Sequence, residues 1–386
     1  MKDIKRISDL ERSYVDEVLD SNFRTSSGST MNTRLEEAFS KLYESKFAIT
    51  FINGTATMHA TLLAKGIGEG DEVIVPPLTM ASTTFAVLQV GATPIYADVD
   101  ASTYQIDPES IQNKISDKTK AIITVALYGL SPDMDEIMKL AKQSNLFVLE
   151  DNAETMMSYY KGKLAGTIGH AGSFSFQSSK HLTAGEGGVI ITNDEQLALD
   201  IRRVSSLGYS GVSSKEGKIT KNEIQSPSYF RHVSTGFNYR MPELCAAVAL
   251  GQLERVDELV NRRKEVAQLF NDTLADTEWL IPQHTPNNCV NSYWTYVVKL
   301  VHTDVSWISF RDKFKELGGD GIYAPWKLTY QEPFYQDIPN RETQPFCPIA
   351  EELQRTLLQF KTNYWEWSEA EKQAKCLKKT IDFFKS

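Results

Sequence analysis

The stretch GSFSFQSSKHLTAGEGGVIIT, Gly172 to Thr192, holds two short apolar runs, GSFSF and VIIT, separated by a turn of small residues carrying one lysine, Lys180. Runs of this length, bounded by Gly and Ser, read as strands. Upstream the same punctuation recurs in AITF (Ala48 to Phe51), EVIVP (Glu72 to Pro76), TPIYADV (Thr93 to Val99), AIITVAL (Ala121 to Leu127) and FVLE (Phe147 to Glu150). Helix-length segments lie between most of them, which predicts an α/β fold: a mostly parallel sheet of seven strands with helices on both faces.

Working outward, Ser131 to Ser144 reads as a crossover helix capped by Ser131, with Pro132 in its first turn and early acids. Tyr209 to Ser228 has no apolar period and reads as a long loop. Met241 to Val266 reads as one long helix, and the rest, with a strand at Tyr293 to Leu300 and helices at Trp307 to Leu317 and Glu369 to Phe384, as a smaller α+β domain. The expected division is a large domain with an N-terminal arm, residues 1–255, and a small C-terminal domain, residues 256–386.

A chain of 386 residues with 41% apolar and 24% charged residues can bury a sizeable site. Its formal charge of -9 argues against binding nucleic acid or an anionic membrane. Cys245, Cys289, Cys347 and Cys376 are widely spaced without a CxxC pair, so no metal site or disulfide framework is expected. The opening MKDIKRISDL lacks a signal-peptide core and the longest apolar runs are too short to span a bilayer, so the expectation is a cytoplasmic protein.

Three features carry chemistry. Asp151 follows FVLE, at the carboxyl end of a strand, where ligands of α/β folds bind. Lys180 sits in its turn of small residues, where a desolvated amine becomes a Schiff-base nucleophile. NGTATMHA (Asn53 to Ala60) runs from a strand into a helix whose first N–H groups could cradle a phosphate. Singly, each has a plainer explanation as a turn acid, a solvated lysine or a capped βα turn; together they are what holding pyridoxal phosphate requires.

In these motifs, with GDEVIVPPLTMAST, LEDNAE and GFNYRMPEL, the sequence resembles the DegT/DnrJ-type sugar aminotransferases, which share the fold-type-I architecture of aspartate aminotransferase. The resemblance runs from about residue 20 to the C-terminus. It implies Lys180 as the Schiff-base lysine and proton shuttle and Asp151 as partner of the pyridine nitrogen. It implies Ser175 and the turn Gly54, Thr55 and Ala56 on the cofactor phosphate, and Glu154 near the ring hydroxyl, where many relatives carry Gln. Met80 stands where relatives often place an aromatic residue against the ring. Asn238 would reach the phosphate of the neighbouring subunit, making a homodimer obligatory.

The implied reaction moves an amino group from glutamate to a keto sugar, nucleotide-linked or a free acid such as an octulosonate, for surface polysaccharides. Lys218, Lys221, Tyr229, Arg231 and His232 could supply charge to an anionic substrate. Two alternatives stay open: a pyridoxamine-dependent sugar dehydratase, in which histidine replaces the lysine, and a catalytically idle cofactor-binding regulator. The lysine at 180 favours transamination.

Overall fold

The structure, a computed structural model, describes residues 1–23, 31–214, 225–302, 304–338, 341–342 and 345–385. Seven strands make the main sheet: β1 (Phe47–Phe51), β2 (Glu72–Val75), β3 (Thr93–Tyr96), β4 (Thr119–Val125), β5 (Phe147–Asp151), β6 (Ala171–Ser175) and β7 (Gly188–Thr192). Their order is β1-β7-β6-β5-β4-β2-β3, and only β7 runs against its neighbours. The connection from β6 to β7, which carries Lys180, contains no helix, so the chain returns antiparallel instead of crossing over.

The strands read as continuous apolar runs because both faces are covered. Val73, Val75, Ala121, Ile123 and Leu149 enter one core, while Ile74, Ile122 and Val148, one residue out of phase, enter another. Beyond residue 274, β8 (Leu280–Pro282), β9 (Thr295–Leu300) and β10 (Leu357–Lys361) form an antiparallel sheet. With helices Trp307–Glu316 and Trp367–Lys385 it encloses a further core around Phe270, Val298, Phe314 and Leu377.

Some sequence expectations are corrected. The crossover helix is Met134–Ser144, and its cap is Asp133, which accepts the Glu136 N–H at 3.4 Å. Ser131 is buried with its hydroxyl turned to the Pro132 carbonyl, so Pro132 precedes the cap. The run Ala121 to Leu127 leaves the sheet at Val125, because Leu127–Gly129 form a 3₁₀ turn with Tyr128 at φ 64°. The run Thr93 to Val99 pairs with β2 only as far as Tyr96. The helix expected over Met241 to Val266 is two, Glu243–Glu254 and Val256–Leu274, joined at Arg255, where φ is -111° and ψ is 16°. Arg255 is held there by Glu11 at 2.8 Å and the Lys5 carbonyl at 2.6 Å, a contact with the N-terminal segment that local periodicity cannot report. Of the expected loop, residues 209–214 and 225–228 contain no helix or strand; Lys218 and Lys221 lie outside the described residues. Among the described residues no helix is long and apolar enough to cross a membrane.

Strand β5 ends in two consecutive acids that go separate ways. Glu150, 2% exposed, accepts the N–H groups of Gly166, Ile168 and Gly169 at 2.5–2.7 Å and so clips the loop before β6 under the sheet. Burial pushes its carboxyl above the ordinary range and the three amides pull it back. Truncating it strands three donors, that of Gly166 buried and those of Ile168 and Gly169 half-buried. Glu150→Ala is therefore expected to lower the unfolding free energy by about 3 kcal/mol, read from urea denaturation at neutral pH.

Candidate active site

Strand β1 leads to Asn53, whose Oδ1 accepts the Ala56 N–H at 2.8 Å and caps helix Gly54–Ala64. This turn lies on the ends of β6 and β7 with little room. A Cβ on Gly188 would come within 2.8 Å of the Asn53 carbonyl carbon and the Gly54 nitrogen, and one on Gly54 within 3.0 Å of Ser175 Cβ. Gly54, Thr55 and Ser175 thereby converge on one wall of a cavity of about 690 Å³. Ala56 is buried behind them with its N–H taken by the cap, and does not reach the wall.

Asp151 lines the cavity, on the opposite side of β5 from Glu150. It is 3% exposed and accepts Thr83 Oγ1 at 2.9 Å and the Ala153 N–H at 3.1 Å. Burial raises its carboxyl above the ordinary range, against the pull of Ala153, Thr83 and Lys180. No basic side chain forms an ion pair with it among the described residues, so this buried carboxylate is served by dipoles and wants a cation.

Lys180 and Glu154 form a buried ion pair, Nζ to Oε1 3.3 Å, with side chains 13% and 5% exposed. The other Glu154 oxygen accepts the Tyr128 N–H at 3.2 Å, which the left-handed turn at Tyr128 presents to it. Burial pushes the Glu154 carboxyl up while Lys180 opposes it. His181, next in sequence, is fully buried with Nε2 on the Ser292 carbonyl at 3.0 Å; burial, then Arg263, hold its pKa well below the usual imidazole range. It therefore faces away from the cavity and cannot stand in for Lys180.

Met80, 52% exposed, lies on the cavity wall. Asn238 is exposed and off the wall, its backbone bridged to Ser206. His232 Nδ1 contacts the Leu207 carbonyl, and neither it nor Tyr229 or Arg231 lines the cavity. Residues that sequence reasoning passed over include Thr83, inside a motif but not singled out, and three on the wall, Arg263, Trp294 and Trp326. The last three sit in segments whose local pattern reports only strand, loop or helix.

The DegT/DnrJ/EryC1/StrS aminotransferase family model matches residues 5–364. The chain belongs to this family. It is 40% identical over 285 residues to a GDP-perosamine synthase of Escherichia coli O157:H7, covering 74% of this chain and 73% of that protein. Its fold matches the aminotransferase of Psychrobacter cryohalolentis with TM-score 0.88 at 29% identity over the full length of both chains. It also matches a GDP-4-keto-6-deoxymannose-3-dehydratase with bound GDP-perosamine, with TM-score 0.85 at 25% identity over 96% of this chain and 98% of that one.

Pyridoxal phosphate, the cofactor of this aminotransferase, fits the residues present. The Gly54–Thr55 turn at a helix start, with Ser175 beside it, suits a phosphate. Asp151 would receive a protonated ring nitrogen, and Lys180 stands within the same cavity. Crowding at Gly188 makes that fit testable. Gly188→Ala is expected to fold, to push the Asn53–Gly54 turn out of place, and to weaken cofactor binding at least tenfold, measured by fluorescence titration of the apo-protein.

A second expectation follows from Asp151. A folded-state pKa raised by burial means the ionised form destabilises the apo-protein above the unfolded value, about 3.9, and costs nothing below it. Apo Asp151→Asn should thus melt at or above wild type near pH 8, with the gap closing towards pH 4, while cofactor affinity falls. Differential scanning calorimetry at the two pH values checks the sign.

Proposed function

We propose that this chain transfers the amino group of glutamate to a guanosine-diphosphate-linked keto-deoxyhexose, on a route to a surface polysaccharide. The observation that carries the reading is the buried constellation of Lys180, Asp151 and Glu154 in one cavity. The similarity to a GDP-perosamine synthase supports the nucleotide and the sugar class. A free keto-sugar acid such as an octulosonate is a less favoured substrate, because no relative compared above acts on one by name.

When bound, pyridoxal phosphate supplies an electron sink for the pair released as the C–H bond beside the transferred nitrogen breaks. In our reading Asp151 keeps the ring nitrogen cationic, its own burial being relieved by that charge. Lys180 would bear the cofactor and, when free of it, would act as the base and acid that takes and returns the proton. Glu154 holds Lys180 Nζ in reach. Thr83 and the Ala153 N–H keep Asp151 aimed.

We propose that residues 1–255 form the cofactor-binding domain and 256–386 the small domain, and that the enzyme works as a cytoplasmic homodimer in which Asn238 completes the neighbouring subunit's site. Its exposure away from its own cavity supports this. The dehydratase reading loses ground on Lys180, since that branch needs histidine at this position and His181 is sealed off.

Purified enzyme given glutamate and a GDP-linked 4-keto-6-deoxyhexose is expected to yield the amino sugar by mass spectrometry, with Lys180→Ala inactive and without yellow absorption. A deoxygenated keto sugar as product would instead establish the dehydratase. Mixing Lys180→Ala subunits with Asn238→Asp subunits should recover activity if Asn238 acts across the dimer. No recovery in mixed dimers would restrict it to its own subunit.

A further inference from the structure

Lys180 is held by an apparatus larger than its ion pair. Its Nζ lies 4.5 Å from the centre of the Trp294 ring, on the aromatic face, as well as 3.3 Å from Glu154. The indole Nε1 of the same Trp294 donates to the carbonyl of Ser179 at 3.0 Å. One aromatic residue thus touches both the tip of the lysine and the backbone just before it.

Trp294 is itself fixed. Its carbonyl accepts Arg263 at 2.7 Å, and the same guanidinium donates to the Ser179 and Lys180 carbonyls, both at 3.0 Å. Arg6 closes the far side on the Lys180 and His181 carbonyls at 2.7 and 2.8 Å. Arg263 is 1% exposed and has no carboxylate partner among the described residues, so its charge is matched mainly by these carbonyls. The Trp294 ring stacks on Trp326 at 5.9 Å and 19°. An ammonium has three donors to place, and Glu154 takes one at a distance longer than the best charge-assisted bonds. The negative face of an indole is the strongest aromatic seat for a cation.

We infer that Trp294 is a positioning residue for Lys180: its ring face seats the ammonium whenever the lysine is free of the cofactor, and its N–H locks the turn from which the lysine extends. The inference rests on the reading of Lys180 as the cofactor-bearing lysine. During turnover that lysine must leave the cofactor, carry a proton and return. A seat between Glu154 and the Trp294 face keeps the protonated side chain in the cavity and aimed while it waits.

The test compares wild type, Trp294→Phe, which keeps a weaker face and loses the N–H, and Trp294→Leu, which loses both. In each apo-protein, labelling of Lys180 by an amine-reactive probe is followed against pH by peptide mass spectrometry. Greater access alone would raise the plateau; loss of a seat for the cation moves the midpoint. The midpoint is expected to move to lower pH by about half a unit to one unit in Trp294→Leu, and by less in Trp294→Phe. The basic limb of the pH–rate profile for cofactor conversion by glutamate should move the same way. An unmoved midpoint in Trp294→Leu overturns the inference, as does an equal shift in both variants; should Trp294→Leu not fold, an unmoved midpoint in Trp294→Phe does so. Borohydride trapping of the cofactor on Lys180 in wild type tests the underlying reading separately, because the labelling uses no cofactor.

Discussion

A central strand that ends in two consecutive carboxylates can exist only if each is provided for on its own side of the sheet. In β5 the alternation of side chains sends Glu150 one way and Asp151 the other. Glu150 is satisfied by three backbone N–H groups and becomes structural. Asp151 receives one hydroxyl and one amide, too little for a buried charge, and stays chemically unfinished. The cavity around it brings together a nearby lysine and the helix start that follows β1, the two groups the proposed cofactor would need beside this acid.

The same economy appears at Lys180. In the proposed role, an amine bonded at one moment and free and charged at the next needs partners that tolerate both states. Glu154 offers a carboxylate whose burial keeps it ready to hold a proton, and Trp294 offers a face that costs nothing when the charge is gone. The rigid part is kept in the backbone, where Arg6, Arg263 and the Trp294 N–H saturate three successive carbonyls. The side chain proposed to carry the proton is thus mounted on a turn with these carbonyls all hydrogen-bonded, which suits the short-range transfer proposed for it.

Where local rules failed, the failures have a common cause. Ser131 is a good helix cap by type, yet Asp133 does the work because its carboxylate also receives the Tyr160 hydroxyl at 2.6 Å from a distant segment. The long helix after Met241 has an unbroken apolar period, but Arg255 is drawn to the N-terminal segment and the axis breaks there.

By itself the sequence determined the α/β sheet, the strand-end acid, the lysine turn and the Asn53–Gly54 helix start, because each is written in residues close together along the chain: apolar runs of strand length, small residues that allow backbones to meet, an acid at a strand end. Only the tertiary structure decided what surrounds them. Thr83, Arg6, Arg263 and Trp294 come from elements far apart in the chain, and their contacts with Asp151 or Lys180 depend on strand order and on the packing of the C-terminal segments over the sheet. Periodicity reports which face a side chain takes. It is blind to what stands opposite.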